Sequence, residues 1–538
     1  MTETPPSPSP PPDEAKSGAD AAERIASGYE TAGAALEMGS VLLDGTSYSQ
    51  ARIRVPLAMV NRHGLIAGAT GTGKTKTLQV LTEQLSAAGV PVVIADIKGD
   101  LSGLSQAGRS NDRITQRAAD TGDDWAPTAY PVEFLALGGV GSGAPLRATM
   151  TSFGPTLLAK VLGCNSTQES SLGLIFHYAD AAGLPLLDLK DLRAVIQYLT
   201  SDEGKADLRN LGGLSSSTAG VILRQLITLE TQGGDVFFGE PEFDTADLLR
   251  TDDQGRGVIS SIELANLQDR PTLFSTFLMW LLADLFHELP EVGDLDKPKL
   301  VFFFDEAHLL FNDASKAFLE AVTQTVRLIR SKGVGIYFVT QNPTDVPDSV
   351  LGQLGNRVQH ALRAFTPDDA AALAKAVKTY PKTKDYDLSE ALTQLATGEA
   401  VITVLAESGA PTPVAWTRLR APRSWMAQID PAAQEQAVAG SPLSARYGQS
   451  LDRESAYERL TAKLAAPPAE EPEPPAERAP QAASRAGSPQ GGFADGAGGL
   501  FGAVLGSFAR SAGSTLGREI TRDLFGTAPR RRRRTRRR

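Results

Sequence analysis

A chain that places Gly68-Ala69-Thr70-Gly71-Thr72-Gly73-Lys74-Thr75 between an apolar run, Leu65-Ile66-Ala67, and a helix-like run opening at Thr75 has little freedom in how it folds there. The octet fits G-x-x-x-x-G-K-[ST], the phosphate-cradling loop. Its glycines let the backbone turn tightly enough to aim several N–H groups at one anion, and the helix that follows adds its positive N-terminal end. Lys74 supplies a point charge for the outer phosphates and the Thr75 hydroxyl a Mg²⁺ ligand. Gly68, Thr70, Gly71, Thr72, Gly73, Lys74, Thr75 and Lys76 are therefore the predicted nucleotide-binding residues, with ATP and Mg²⁺ as the expected ligands. A strand, such a loop and a helix in succession point to an α/β fold built on a parallel sheet.

The rest of the chain agrees with a large α/β body. It has 538 residues, 41% of them apolar, enough for a sizeable core. The single cysteine, Cys164, excludes an internal disulfide framework and suits a reducing compartment. Five scattered histidines leave no Cys/His metal cluster to propose. Residues 1–14 are proline-rich and polar, unlike a secretory signal, and no run reaches the roughly 18 apolar residues of a membrane span, so a cytoplasmic protein is expected. The net charge of −10 hides an asymmetry: residues 530–538 hold eight arginines, leaving 45 basic against 63 acidic residues elsewhere. Such a tail attracts nucleic acid or an anionic membrane through a salt-sensitive attraction that needs no fold, or is simply a solvated terminus.

Periodicity divides the chain further. Residues 1–20 read as disordered, and 21–60 as a small β lead-in with strand-like pieces at 39–43 and 51–55. Residues 61–145 open the core, with a helix over 74–88 whose Leu78, Leu81 and Leu85 share one face, then a buried strand, Pro91-Val92-Val93-Ile94-Ala95. An inserted α-helical subdomain is expected over 146–235, with helices at 155–162, 170–182, 188–199 and 216–231. The α/β pattern returns over 236–430: strands at 257–262, 300–304 and 336–340, helices at 271–288, up to Arg330 and at 367–378, and a hairpin across 400–405 and 414–419. A helix and a Pro/Ala/Glu/Gly-rich linker fill 431–495, a Gly-rich amphipathic helix 496–526, and the arginine tail 527–538. The predicted architecture is a doubly wound, mainly parallel sheet carrying a helical insertion.

A phosphate loop needs acidic partners to manage metal and water. Asp305-Glu306 follow five apolar residues and so sit at the carboxyl edge of the predicted sheet, the edge that carries the loop. Asp305 is the expected Mg²⁺ ligand through water, and Glu306 the group that orients and deprotonates the attacking water. Gln341, at the tip of another strand, offers an amide to the terminal phosphate or that water. Arg327, Arg330 and Arg357 are candidates to reach a neighbouring subunit's nucleotide, although arginines at helix ends also serve simply to complement the dipole.

Together, Gly68 to Thr75, Ile94-Ala95-Asp96-Ile97-Lys98-Gly99-Asp100-Leu101, Phe304-Asp305-Glu306-Ala307-His308 and Val339-Thr340-Gln341-Asn342-Pro343 resemble the HerA–FtsK superfamily of ring-forming ATPases, in particular bacterial proteins with a HerA-like C-terminal domain. The resemblance implies a RecA-like core, Mg-ATP hydrolysis between subunits of a hexamer, a DNA-translocating ancestry with double-stranded DNA as partner, and a further acid near the nucleotide, Asp96. Two features depart from translocating members: no DNA-end partner-binding module is evident, and no basic pore stripe. Asp305-Glu306-Ala307-His308 also spells the signature of another helicase group, whose required second RecA-like domain with a Gln…Gly-Arg-x-Gly-Arg element does not follow Gln341. The leading expectation is a ring ATPase that moves a polymer. Its rival is a nucleotide-dependent switch or scaffold whose basic tail binds nucleic acid or membrane.

Overall fold

The computed structural model describes residues 12–208, 212–312 and 316–465, so the expectations for the linker, the amphipathic helix and the arginine tail lie outside the described residues. Twelve strands form one sheet among them. They are β1 (Ala35–Leu43), β2 (Thr46–Pro56), β3 (Gly64–Ala67), β4 (Val92–Asp96), β5 (Val132–Leu137), β6 (Ala144–Leu146), β7 (Ile259–Glu263), β8 (Leu300–Phe304), β9 (Val334–Thr340), β10 (Asn356–Gln359), β11 (Glu399–Thr403) and β12 (Ala415–Leu419). The order is β2-β1-β12-β11-β10-β3-β9-β8-β4-β7-β5-β6. From β10 to β6 every neighbouring pair is parallel, whereas β11, β12, β1 and β2 extend the sheet antiparallel. This is the RecA-like, doubly wound arrangement.

The central strands read as unbroken apolar runs because each is covered on both faces. Alternate residues of one strand enter opposite cores. Leu65, Val93, Phe302, Phe304 and Phe338 face the core shared with the apolar helix Pro271–Glu288 and the helices of residues 150–231. Ile66, Ile94, Phe303, Tyr337 and Val339 face the core under the helix Lys74–Ala87, where Leu78, Leu81 and Leu85 are buried. A one-residue slip in any of these strands would exchange the two sets.

The helical region comprises Met150–Val161, Ser166–Ala181, Leu189–Thr200, Asp202–Asp207 and Ser216–Thr231. Its starts are set by side chains: Asn165 and Asp188 make capping boxes, and Thr149, Ser201 and Ser215 cap through their hydroxyls. The Asn165 cap explains why the helix expected at 170 begins at Ser166; Gly154, with φ +78° and ψ 165°, interrupts the first span, so the helical run expected from 155 restarts at Pro155 after a short turn capped by Thr149. At the other end, helix begins at Pro12 and runs to Ser27, within a stretch whose composition reads as disordered to residue 20. Alanine-rich sequence favours helix, and Ala22 and Ile25 are buried in the core under β1 and β2, which supplies the contact that composition alone does not reveal. The lead-in strands β1 and β2 pair with each other and β1 pairs with β12, so they extend and cover an edge of the main sheet. Residues 423–429 cross back over the helix Lys74–Ala87: Glu83 accepts from Arg423 and Ser424 N–H at 2.9 Å each, and Gln79 donates to the Trp425 carbonyl at 3.0 Å.

Candidate nucleotide-binding site

The loop after β3 is clamped before any ligand is considered. Gly68 N–H donates to Thr340 O at 3.2 Å, Ala69 N–H to Ala361 O at 2.8 Å, and Gly398 N–H to Thr72 O at 3.1 Å. Gly68 has φ +153°, and a Cβ there would stand 2.5 Å from that of His360; Gly73, with φ +112°, starts the helix from the left-handed region. These two positions demand glycine. Lys74 curls over the loop, donating to Gly68 O at 2.6 Å and Ala69 O at 3.1 Å. Burial, and then the nearby charge of Lys98, push its ammonium below the ordinary lysine range, while Glu306 and Asp305 pull the other way. Thr70 and Gly71 are exposed at the tip, and Thr75 is half-buried. The Lys76 ammonium turns away, donating to Met426 O at 2.6 Å and Gln79 Oε1 at 3.2 Å. Its side chain pins the returning segment, which leaves its backbone N–H as the group available to a phosphate.

Strand β9 lies between β3 and β8, so two strand spacings, about 10 Å, separate the loop's strand from the carboxylates' strand. The gap suits a terminal phosphate, a metal and a water. Asp305 and Glu306 are both buried, and the backbone holds Glu306 at φ +47°, an uncommon conformation for a side-chain-bearing residue. Asp305 Oδ1 accepts from Glu306 N–H at 2.9 Å, whereas Oδ2 has no hydrogen-bond partner among the described residues. A buried carboxylate oxygen left bare fits a cation or its water. Burial pushes the Asp305 carboxyl up to about 7 despite the positive charge of Lys98. Burial also acts to raise Glu306, but the hydrogen bond and charge of Lys98 outweigh it, helped by His308 and Gln341, and hold that carboxyl below its usual range. Lys98 Nζ sits 2.6 Å from Glu306 Oε1, and His308 Nδ1 3.3 Å from Oε2.

The remaining sequence candidates lie at both edges of the sheet. Asp96 ends β4 at the right edge, but both its oxygens are engaged, Oδ1 by Gly99 N–H at 2.7 Å and Oδ2 by Leu101 N–H at 3.0 Å. It shapes the turn that carries Lys98, each oxygen accepting one backbone N–H. Arg327 and Arg330 line a cleft with Arg62 and His63 at the amino edge of the sheet, away from their own subunit's loop. Arg357 is directed to the Leu354 and Leu351 carbonyls, at 3.5 and 3.4 Å. Sequence reasoning missed Lys98, although its place in Asp96-Ile97-Lys98-Gly99, an acid-and-glycine turn at a strand end, was the available signal. It also missed His360, buried beneath the loop with Nε2 2.9 Å from Thr77 Oγ1 and pushed down to about 4 by burial and then by Lys74. Arg363 and the exposed Phe365 share a cleft of about 540 Å³ with Thr70, His308 and Gln341.

The pattern of the family described as helicase HerA-like C-terminal matches residues 42–534. This chain belongs to that family. A protein of Methanocaldococcus jannaschii described as a "probable helicase" is 23% identical over 368 residues, 64% of each chain, so the HerA-like chain spans less than two thirds of that relative's length. Among solved structures, the bacterial conjugative coupling protein TrwBdeltaN70, in a trigonal form with sulphate, superposes with a TM-score of 0.50 at 15% identity, covering 76% of this chain and 94% of its own. VirB4 of Thermoanaerobacter pseudethanolicus gives 0.45 at 14% identity, covering 73% and 98%. The HerA-like chain thus has the fold of a nucleotide-binding ATPase. Among its described residues no helix is long and apolar enough to cross a membrane.

Proposed function

We propose that this HerA-like chain binds Mg-ATP in the cleft between the Gly68–Thr75 loop and Asp305-Glu306 and hydrolyses it. The observation that carries the reading is the bare, buried Asp305 Oδ2 on the sheet edge that also presents the phosphate loop and Lys74. Thr75 and Asp305 are the residues that would hold Mg²⁺, which when bound neutralises charge on the outer phosphates. The loop amides and Lys74 bind and orient the triphosphate. Gln341 and Glu306 position a water, and Glu306 takes its proton as the water oxygen bonds to the terminal phosphorus and the bond to the bridging oxygen breaks, releasing ADP and inorganic phosphate.

Assembly into a ring, with DNA as the polymer acted on, extends this reading. It is supported by the family, by Arg327 and Arg330 lying exposed at the amino edge, away from their own subunit's loop, and by the tail's eight arginines. The "probable helicase" and conjugative descriptions belong to the relatives and lend the same direction. The test is ATP turnover with and without long duplex DNA, measured beside solution mass. A DNA-driven motor gives several-fold stimulation in an oligomer that K74A abolishes; a monomer with no turnover above K74A would remove the proposal. Slow turnover indifferent to DNA would favour the switch reading instead.

A further inference from the structure

Lys98 is unused by the mechanism above, yet it makes the closest ionic contact in the site. The turn built by Asp96 and Gly99, whose φ is +70°, projects it from the end of β4 across to β8. Its ammonium lies 2.6 Å from Glu306 Oε1, with the Lys98 side chain 39% exposed and that of Glu306 only 8%. Glu306 thereby holds an ammonium on one oxygen, while Oε2, 3.3 Å from His308 Nδ1, makes no hydrogen bond among the described residues. A carboxylate so engaged is a poor proton acceptor, which conflicts with the task assigned to it. Lys74 meanwhile bends back on the loop carbonyls, and the two ammonium groups repel across the cleft. A triphosphate brings the one partner that can draw both lysines at once, because its outermost group carries charge that neither a diphosphate nor the loop supplies at that position.

We infer that Lys98 is a two-position residue: it holds Glu306 while the cleft lacks a triphosphate, and transfers to the terminal phosphate when one enters, freeing Glu306 to receive the proton of the attacking water. This rests on the ATPase reading. It makes Lys98 a sensor of triphosphate against diphosphate as well as a source of positive charge during hydrolysis. Arginine at this place would keep the charge, while glutamine would remove it and leave a shorter polar side chain.

The experiment is calorimetric binding of ADP and of the non-hydrolysable analogue AMP-PNP to the full chain, parent and variants, with Mg²⁺ and again with EDTA, together with kcat and KM for ATP. K98A and K98Q are expected to hold ADP within about twofold of the parent, to lose at least about fivefold of the AMP-PNP preference, and to drop kcat at least about tenfold, with K98R recovering most of both. E306Q, which releases the lysine, is expected to tighten AMP-PNP but not ADP. A preference unchanged in K98Q would overturn the inference and leave a purely structural ion pair. Faster turnover in K98A or K98Q would also overturn it, since the lysine would then only restrain. Should a folded parent bind neither nucleotide, the ATPase reading itself fails, and the inference with it. If K98A does not fold, K98Q decides by the same ratio.

Discussion

The two edges of the parallel sheet are built from the same kind of strand and end in opposite ways. At the amino edge the loops close on themselves: Asn356 N–H donates to His63 O and Gly355 N–H to Arg62 O, each at 3.1 Å, and Ile336 N–H to His63 Nδ1 at 3.0 Å. At the carboxyl edge, β3, β9 and β8 end in groups directed at one cleft, with glycines at positive φ, an acid at φ +47° and a buried oxygen without a partner. Each such feature costs stability; the amino edge carries strain of the same kind, with His63 at φ +59° and its Nε2 unpaired among the described residues, so what sets the carboxyl edge apart is that its features converge on a phosphate loop and two acids. Charge follows the same division. The acids and Lys74 are buried at the carboxyl edge, with Lys98 reaching in from the surface, whereas Arg327 and Arg330 stand exposed at the other.

The sharpest way to break this comparison is to disable one edge at a time. E306Q is expected to lower turnover by about 10²–10⁴-fold while nucleotide still binds, as loss of a proton acceptor requires. Replacing Arg327 and Arg330 together is expected to leave nucleotide affinity within twofold and to lower turnover at least about tenfold, with the loss confined to the assembled protein. Equal loss in monomer and oligomer would show that the amino edge serves its own subunit, and the contrast would fail. H360A, which strands the Thr77 hydroxyl beneath the loop, is expected to destabilise the chain by about 1–3 kcal/mol, read from chemical denaturation.

The acids at the carboxyl edge also predict a pH dependence. The Asp305 carboxyl is raised to about 7 by burial, above its unfolded value, so the folded chain binds more protons and stability falls as pH rises through 7. The nucleotide-free protein is expected to lose about 1.4 kcal/mol from this group between pH 6 and 8. D305N removes that contribution; a slope unchanged in D305N would assign it to Glu263, also raised to about 7 by burial, or to Asp96, raised to about 6. The smallest effect is expected from removing residues 527–538, which lowers the salt sensitivity of DNA binding without altering ATP affinity.

What the sequence made legible was local. The phosphate loop is a contiguous octet, and Asp305-Glu306 follow a run whose length and apolarity already place it in the middle of a parallel sheet. Helix starts shifted because caps such as Asn165 act through a side chain three residues away. The contacts that remained hidden join distant parts of the chain: Lys98 to Glu306, His360 under Gly68, and Met426 over Lys76. Asp96 illustrates the difference. Its position at a strand end is readable, but whether its oxygens face a nucleotide or the turn's own N–H groups depends on the path of residues 97–101, which no spacing encodes.

The central claim is that the loop and the two acids share one metal-bound triphosphate, and the Mg²⁺ dependence of ATP-analogue binding in parent and D305N tests it most directly. Mg²⁺ is expected to tighten AMP-PNP binding to the parent by at least about tenfold, with that gain lost in D305N. An equal Mg²⁺ response in both proteins would place the metal elsewhere and contradict the claim.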